Sequence, residues 1–466
     1  MNSLAKAEIS PEEETPGSAP AHPVRIISRE EHPIRPEQID RDALFVLKKL
    51  GEAGFAGYLV GGGVRDLYLG KTPKDFDIST DARPGQLRKL FPHSNTIGRR
   101  FRLVQVFFRG GKTIEVSTLR SLSEYDIDGP EEILAPNNTF GTLSEDARRR
   151  DLTINSLFFE IDKSTILDYV GGIEDLDRGI IRIAGDPARR ISRDPVRMMR
   201  AIRHAARNNF TIEEETWKAI CANSNKLSLC PPSRLRDEIL KDLYSGAAAP
   251  WFHLAVASGI FFTLFPGYRD TFYRYADNPE QPKQLLAQLL KSIDHANNLS
   301  LGHGIHRQPD FFYLGLFFIP WVEARWHLFS EFRKNAVLYQ LAKQIREEID
   351  RTIGIDLNLR RSLRQEMVNL FINLAMLIHH KQPTGWPKWL KQKSYFRKSL
   401  LFYHFYQEAV TGEPIDEMLI TREPHKPPQE VERQPARPEQ AAQPPAAKFK
   451  PSFANRTKGG IFGFKK

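Results

Sequence analysis

The sequence predicts an α+β region followed by a longer region that is entirely helical. Between about residues 39 and 172, short apolar runs typical of strands alternate with amphipathic runs typical of helices. From Pro195 onward, apolar residues recur at helical spacing and strand patterns largely vanish. Both ends of the chain are polar and rich in proline. We therefore expect folded α+β and helical parts between two disordered ends.

Within the α+β part, the spacing of apolar residues indicates the type of each element. Two runs separated by Arg109, Gly110 and Gly111 are typical of a β-hairpin. Residues 121–143 are polar and irregular, which predicts a loop beside the site. We predict helices at residues 43–51, 64–69 and 86–90, and strands at 58–60, 76–78, 103–108, 113–118, 154–161 and 165–169.

Changes of composition divide the chain into five predicted segments. These are a disordered N-terminal arm (1–38), a head (39–172), a helical unit (173–266), a second helical unit (267–412) and a disordered basic tail (413–466). The tail contains nine prolines with repeated lysine and arginine. Such a tail can hold RNA through its phosphates without reading sequence. The alternative is a solubilising appendage.

Length and composition restrict the class of protein. With 466 residues, 41% of them hydrophobic, the chain can bury a large core. It carries 67 Lys and Arg against 57 Asp and Glu, and this excess suits a polyanionic partner. The two cysteines, Cys221 and Cys230, lack metal-ligand spacing and favour a reducing compartment. Without an apolar signal segment or a run able to span a bilayer, we expect a cytoplasmic protein with no membrane partner.

The most informative stretch is residues 58–80, where glycines are followed by closely spaced acids. Gly61 to Gly63 lie between a predicted strand and a helix, where backbone N–H groups can approach an anion. Asp75 and Asp77 flank one apolar residue, and on a strand they would point to the same face. Adjacent carboxylates repel unless a cation lies between them, and Mg²⁺ prefers oxygen ligands. A phosphate cradle beside a metal site indicates phosphoryl or nucleotidyl transfer.

Each part of this stretch also has an ordinary structural interpretation. Glycine-rich turns between a strand and a helix are common, and an Asp-x-Asp strand can be a solvated sheet edge. The combination, with Arg65 in the first helical turn and Lys74 beside the acids, favours the functional interpretation.

Three further motifs contain candidate site residues. Glu115 alternates with apolar neighbours, so an adjacent strand could bring it next to Asp75 and Asp77; alternatively it faces solvent. Three arginines at 148–150 run into a predicted strand, which places Asp151 and Asn155 to bind a ribose hydroxyl or support the metal site; a solvated charge run is the alternative.

The third motif is the pair Asp194 and Arg197. Pro195 fits the first turn of a helix and Asp194 its N-cap, and residues three apart share a helix face. An Asp acceptor and an Arg donor together can match the Watson–Crick edge of a base. A capped helix with an ordinary salt bridge explains the same spacing.

Four of these motifs closely resemble those of the class II nucleotidyltransferases, the family of bacterial poly(A) polymerases and tRNA CCA-adding enzymes within the DNA polymerase beta superfamily. The matching residues are GGGVRD at 61–66, DFD at 75–77, RRDLTIN at 149–155 and RDPVRMMR at 193–200. The resemblance spans about residues 55–265. It implies an α+β catalytic head (39–172) with a DNA polymerase beta-like mixed sheet, followed by all-α neck, body and tail domains. The neck (173–266) would bind nucleotide and RNA, and the body (267–412) would bind RNA.

The resemblance also implies roles for individual residues. Asp75 and Asp77 would bind two Mg²⁺ ions, Glu115 is similar to the third acid of the superfamily, and Asp151 belongs to the catalytic set. The triphosphate would contact Gly62, Gly63 and Arg65. Asn155 lies in the ribose-proximal motif. Asp194 and Arg197 would select the incoming base.

The implied reaction is template-independent, ATP-dependent adenylation of RNA 3′ ends, as in mRNA polyadenylation, with mRNA and also tRNA as candidate partners. The stretch 97–106, with Gln105 where some relatives have His, resembles the poly(A) polymerases. Arg193 replaces a Glu found before Asp-Pro in many members, which disfavours switching between C and A. CCA addition to tRNA is the alternative. A non-catalytic RNA-binding protein on the same scaffold is a further one, and the intact acids argue against it.

Several histidines stand outside these motifs. His303, His306, His379 and His380 could suggest a phosphohydrolase module, but their spacing supports no set of metal ligands. Surface or core roles are therefore expected for them.

Overall fold

An eight-stranded mixed sheet organises the head. In a computed structural model, residues 24–98, 102–121, 139–274, 278, 280–303 and 307–421 are described, all within one unit of the chain. The strands are β1 (Arg25–Ile27), β2 (Gly57–Val60), β3 (Asp77–Thr80), β4 (Ser94–Ile97), β5 (Leu103–Phe107), β6 (Thr113–Thr118), β7 (Phe158–Glu160) and β8 (Thr165–Asp168). Their order is β1-β8-β7-β2-β3-β6-β5-β4. Within this described sheet β3 and β6 run parallel, and the other neighbours are antiparallel.

The described residues of the head contain five α-helices, and the first three contact the large sheet. They are α1 (Arg41–Glu52), α2 (Gly62–Tyr68), α3 (Pro84–Leu90), α4 (Leu143–Arg149) and α5 (Gly172–Arg178). The Asp40 carboxylate caps α1 by accepting from the backbone N–H groups of Asp42 and Ala43. Val46 and Leu50, one turn apart, bury the apolar face of α1 against the sheet.

The first helical segment surrounds a short two-stranded sheet. Strands β9 (Ile180–Ile181) and β10 (Thr211–Ile212) pair in parallel. The helices here are α6 (Pro187–Arg193), α7 (Val196–Asn208), α8 (Glu214–Asn223), α9 (Pro232–Leu243), α10 (Ala248–Ala257), α11 (Ile260–Leu264) and α12 (Gly267–Tyr273). Helix α7 carries a buried apolar stripe that includes Met198 and Ile202, and its arginines lie on other faces.

The second helical segment is a bundle around one very apolar helix. Its elements are α13 (Glu280–His303), α14 (Asp310–Trp326), α15 (Asn335–Arg351), α16 (Ile353–Asp356), α17 (Arg361–His379), α18 (Lys388–Lys391), α19 (Phe396–Thr411) and α20 (Glu417–Thr421). Helix α14 is buried from Phe312 to Val322, between α13 and α17. A helix that is apolar all round belongs in a core. In the part of the chain that is described, no helix is long and apolar enough to cross a membrane.

The predicted α+β head followed by helices is confirmed, with differences at element boundaries. Residues 24–38, assigned by composition to a disordered arm, contain β1 and bury Ile27 and Ile34. The strand predicted at 154–161 is limited to β7, because Thr153–Asn155 form a 3₁₀ turn. Helix α20 (Glu417–Thr421) lies within the tail that was predicted to be disordered from residue 413. Much of the predicted 121–143 loop lies outside the described residues. The segment boundaries themselves stay a prediction.

Candidate active site

The turn between β2 and α2 has a conformation that only glycine adopts easily. Gly61 has φ +69° and ψ −135°, which is strained for any residue with a Cβ. A Cβ at Gly61 would lie 3.6 Å from Arg150 Nη1 and 4.0 Å from Asp77 Oδ2. One at Gly63 would lie 3.4 Å from the Asp75 carbonyl oxygen. The glycine run thus brings the start of α2 close to the predicted acids.

Strand register assembles a row of polar side chains next to this turn, Asp77, Glu115 and Gln105, which we call the acid row. Asp77 on β3 pairs with Glu115 on β6, and Glu115 pairs with Gln105 on β5. Residues opposite each other on neighbouring strands project to the same face of a sheet. Gln105 Nε2 donates to Glu115 Oε1 over 3.1 Å. The structure therefore brings Glu115 beside Asp77, as the alternation of residues on β6 suggested.

Asp75 lies near this row but not on the strand where it was predicted. We expected both acids on one strand, but β3 begins at Asp77. The neighbouring strand β2 ends at Val60, and Val60 pairs with Asp77. Residues before Asp77 therefore have no partner on β2. Asp75 is exposed, and its negative charge contributes to raising the pKa of Asp77. The two carboxylates are thus near each other without strand alternation.

Asp77 carries a perturbed carboxyl group. Surrounding protein atoms and the Glu115 carboxylate raise its pKa to about 6, and Asp75 adds to this while Arg150 opposes it. The residue is nevertheless exposed to solvent. A carboxylate crowded by like charges at an open site is suited to receive a cation.

This donor set fits Mg²⁺ better than a metal held by protein alone. Within the described residues, no group of three or more His, Cys, Asp or Glu is arranged to hold a metal ion. Mg²⁺ typically binds through one or two carboxylates and completes its coordination with waters and substrate phosphates. Exposed oxygen donors at Asp75 and Asp77 beside a glycine turn match that pattern.

Arg150, which we had counted only as part of a charge run, lies at the site. Its Nη2 donates to Ser79 Oγ over 3.0 Å and to Asp146 Oδ2 over 2.9 Å. Asp146 is 1% exposed and also accepts from Arg149 Nε and the Arg120 backbone N–H. Burial acts to raise the pKa of Asp146, but Arg150 and Arg149 lower it overall. Asp146 therefore fixes Arg150 as a cation next to Gly61 and Asp77.

Arg65, the predicted triphosphate contact, is directed into the protein. It is 3% exposed, and its Nε and Nη2 donate to Asp66 Oδ1. Its Nη1 donates to Asn155 Oδ1 over 2.6 Å and lies 3.4 Å from His204 Nδ1. A Cβ at Gly62 would be 3.4 Å from Arg65 Nη2. The guanidinium therefore lies beneath the glycine turn and joins it to Asn155 and to helix α7.

Asp151 is paired with a cation of α7. Arg200 Nη1 donates to Asp151 Oδ2 over 2.5 Å, and Arg200 Nη2 is 3.5 Å from Glu238 Oε1 on α9. Although burial acts to raise the pKa of Asp151, Arg200 and Arg197 hold it far below the usual range. Burial likewise acts to raise the pKa of Glu238, but Arg203 and Arg200 lower it to about 2. Asp151 thus links the end of the arginine run to α7.

The predicted base-selecting pair lies at the junction of α6 and α7. Asp194 does not cap α7 through its side chain: Pro195 is the N-cap residue, and the Asp194 carbonyl accepts from the Arg197 backbone N–H. Asp194 Oδ2 accepts from Arg234 Nη2 over 2.8 Å, and Oδ1 is buried with no hydrogen-bond partner in the described part of the chain. Arg197 donates to the carbonyls of Arg150 and Arg149. Arg197 therefore connects α7 to the arginine run.

The sequence identified most of this region but missed the residues that hold it in position. Asp146, Ser79, Arg200 and His204 were not singled out. Asp146 lies two residues before the arginine run at 148–150, and its i,i+3 and i,i+4 spacing to Arg149 and Arg150 was the available signal. The other three depend on contacts between elements far apart in the chain.

Known protein families match this chain in the head and in the first helical segment. The family described as "Poly A polymerase head domain" matches residues 57–182, and the family "Probable RNA and SrmB-binding site of polymerase A" matches residues 209–271. Poly(A) polymerase I of Salmonella typhi is 41% identical over 323 residues, 68% of either chain. The CCA-adding enzyme of Lactobacillus johnsonii is 37% identical over 228 residues, 49% of this chain and 56% of that enzyme.

A solved structure agrees on the fold. The Bacillus stearothermophilus CCA-adding enzyme in complex with CTP aligns with a TM-score of 0.57 at 24% identity, over 82% of this chain and 80% of that one. At this level of identity the likeness concerns the fold alone. Because the identity with Poly(A) polymerase I extends over two thirds of both chains, and the head family covers the glycine turn and the acid row, this chain belongs to the bacterial poly(A) polymerase family of nucleotidyltransferases.

Proposed function

We propose that this chain is a template-independent adenylyltransferase that adds AMP from ATP to RNA 3′ ends. The supporting observation is the register of Asp77 with Glu115 beside the Gly61 turn, in a chain of the poly(A) polymerase family. In the reaction, the RNA 3′-oxygen forms a bond to the α-phosphorus of ATP, the α–β phosphoanhydride bond breaks, and pyrophosphate leaves. The 3′-hydroxyl proton is released in the same step.

The acids of the row would hold the divalent cation for this transfer. Asp75 and Asp77 are the proposed ligands of two Mg²⁺ ions, with Glu115 as the third acid. When bound, Mg²⁺ supplies Lewis-acid stabilisation of negative charge on the phosphate oxygens. Gln105 donates to Glu115, so it orients one carboxylate oxygen and leaves the other available.

The glycine turn would receive the triphosphate. Without side chains at Gly62 and Gly63, backbone N–H groups at the start of α2 can approach phosphate oxygens closely. Arg150 adds a fixed positive charge, because Asp146 and Ser79 hold its guanidinium. Arg65 would support the glycine turn from the protein interior, because its guanidinium lies next to Gly62 and donates a hydrogen bond to Asn155.

The base and ribose would contact the junction with α7. Asp194 and Arg197 are the proposed base-reading pair, with the buried Asp194 Oδ1 available as an acceptor for the exocyclic amine of adenine. Asp151 and Asn155 would lie near the ribose. Arg200 orients Asp151 and Arg65 orients Asn155 through hydrogen bonds. The proposed partners are RNA 3′ ends, principally those of mRNA. A cytoplasmic location is part of this proposal, because a chain with only two cysteines suits a reducing compartment.

The nucleotide requirement tests this proposal. Purified protein is incubated with an unstructured RNA and with tRNA lacking its 3′ end, separately with ATP and with CTP. We expect long adenylate tails on either RNA and little incorporation of C. Addition limited to CCA on tRNA would replace the proposal with the CCA-adding alternative. The absence of both transfer and Mg²⁺-dependent ATP binding would favour a non-catalytic RNA-binding protein.

A further inference from the structure

A chain of aromatic rings lies on the surface of the second helical segment. Phe332 precedes α15, His379 and His380 end α17, and Trp389 is in α18. The Phe332 ring is 5.8 Å from the His379 ring and 6.1 Å from the His380 ring, and His380 is 5.4 Å from Trp389. We call these four residues the aromatic strip. It lies outside the residues matched by either family.

The strip keeps large rings in contact with solvent. Phe332 is 62% exposed and Trp389 is 42% exposed, although the core of this segment buries many other aromatic rings. The imidazoles between them are half-buried, and His379 Nε2 is buried without a hydrogen-bond partner among the described residues. Exposed clusters of this kind commonly mark interaction sites.

The chain around the strip is strongly basic. Residues 367–407 contain no Asp or Glu and six cations: Lys381, Lys388, Lys391, Lys393, Arg397 and Lys398. Lys398 is neutralised by Glu366, and Glu331 pairs with Arg333 beside Phe332. Lys388, Lys391 and Lys393 are exposed and form no ion pair with an acid in the described part of the chain. The strip is thus bordered by uncompensated positive charge.

We propose that the aromatic strip binds an unpaired segment of RNA, with bases stacked on Phe332 and Trp389 and phosphates held by the adjacent lysines. Aromatic faces combined with a positive rim are the combination that single-stranded nucleic acid requires, because any base can stack and each nucleotide carries a phosphate. An acidic protein segment would match the lysines but not the exposed rings. RNA as the ligand rests on the proposed function, which makes RNA the substrate.

Binding of a labelled oligouridylate of about 20 nucleotides to the full chain, without ATP or Mg²⁺, tests this inference. Oligouridylate has little structure, so its bases are free to stack. We expect the double variant Phe332→Ala/Trp389→Ala to bind about thirtyfold more weakly or worse, given typical contributions of two stacked bases. Trp389→Phe should keep most of the affinity because it retains a ring. Phe45→Ala is the matched control, since Phe45 is 51% exposed on helix α1 of the head.

The contributions of charge and stacking are measured separately. Lys388→Gln/Lys391→Gln should reduce the slope of log affinity against log salt by about 1.4, as expected for two phosphate contacts on a single strand. Lys48→Gln, which alters an exposed lysine of α1, should leave the slope unchanged. A fully paired RNA of the same length should bind the aromatic double variant and the unmodified chain equally, because paired bases cannot stack on the strip.

The outcomes distinguish this inference from the proposed function. Weaker oligouridylate binding in the aromatic variant supports the strip even when no AMP transfer is found, in which case only the proposed function fails. Unchanged oligouridylate binding in a variant whose thermal unfolding is also unchanged overturns the strip, and AMP transfer then stands on its own test. An equal loss of binding to paired and unpaired RNA overturns the stacking role. For a long RNA substrate we expect a higher KM with kcat unchanged.

Discussion

Two carboxylates close to the same glycine turn have opposite surroundings. Asp77 lies open to solvent, and its pKa is raised to about 6 by surrounding protein atoms and Glu115. Asp146 is almost fully buried, yet its pKa is lowered because Arg150 and Arg149 outweigh the effect of burial. Burial acts to raise the pKa of both groups, and the neighbouring charges set the final direction: two arginines face Asp146, whereas Glu115 and Asp75 face Asp77 against one arginine.

This difference separates two tasks within one site. Asp146 is already neutralised by arginine, so its interactions contribute to folding and to the placement of Arg150. Asp77 and Glu115 repel each other and have an incomplete set of partners, so a cation that binds there relieves an existing repulsion. Relief of this repulsion would favour binding of the proposed Mg²⁺ ions at the acid row.

The largest expected effect comes from removing the open acid. Asp77→Asn should reduce AMP transfer by about 10³-fold or more, because a neutral amide is a poor ligand for Mg²⁺. Thermal stability should be unchanged or slightly higher, since a source of like-charge repulsion disappears. Transfer is measured with labelled ATP and stability by calorimetry.

Asp162→Asn serves as the control, because Asp162 is an exposed acid in the turn between β7 and β8. Activity of Asp77→Asn within a few-fold of the unmodified chain would contradict the assignment of the acid row.

The second effect concerns the paired acid. Asp146→Ala should destabilise the protein by about 3 kcal/mol, because two arginines lose a shared buried carboxylate. Urea denaturation measures this change. Glu174→Ala removes an exposed partner of Arg178 and should cost less than about 1 kcal/mol. Equal losses in the two variants would show that the Asp146 pairs contribute no more than surface ion pairs.

The third effect is a pH dependence. Because the pKa of Asp77 is raised above its ordinary value, protons compete with the metal up to about pH 6. At limiting Mg²⁺, transfer should fall about tenfold for each pH unit below that value. The sign for stability is opposite: ionised Asp77 destabilises the fold above about pH 6, and this penalty is relieved as the pH falls. A rate independent of pH down to about 4.5 would contradict the raised pKa.

The smallest effect concerns the neighbour of Asp77. Glu115→Gln removes a negative charge that raises the pKa of Asp77, so the acidic limb of the remaining activity should shift to lower pH. Gln105→Glu, which adds a negative charge to the same row, should shift it the opposite way. Rate profiles at limiting Mg²⁺ measure both shifts. An unchanged limb in both variants would mean that Glu115 and Asp77 are not electrostatically coupled.

The sequence predicted the parts of the site that depend on local pattern. The strand before Gly61, the helix after it and the hairpin of β5 and β6 follow from apolar spacing and glycine. The alternation on β6 suggested that Glu115 could face the acids. Its exact partner was not predictable, because the pairing of β3 with β6 is a parallel contact between strands that are separated by β4 and β5 in the chain.

The remaining parts depend on long-range contacts that a local pattern does not encode. The charge run at 148–150 looks the same whether it is solvated or buried, and only the buried Asp146 makes Arg150 part of the site. Arg65 was expected to contact the triphosphate, whereas in the structure its buried guanidinium donates to Asn155 and lies next to His204. Residues 24–38 were judged from the polar composition of the whole N-terminal end, although Ile27 and Ile34 contribute to the core.

The buried contact of Arg65 with Asn155 and His204 restricts how this protein can move. Burial and the charges of Arg65 and Arg203 hold the pKa of His204 well below its ordinary value, so the imidazole is neutral and does not repel the guanidinium. Sliding α2 against α7 would break a hydrogen bond that solvent does not readily replace. The glycine turn and α7 should therefore move as one rigid body. Any opening that admits ATP or releases pyrophosphate would then hinge elsewhere, and the proposed base-reading and phosphate-binding surfaces would keep a fixed position relative to each other.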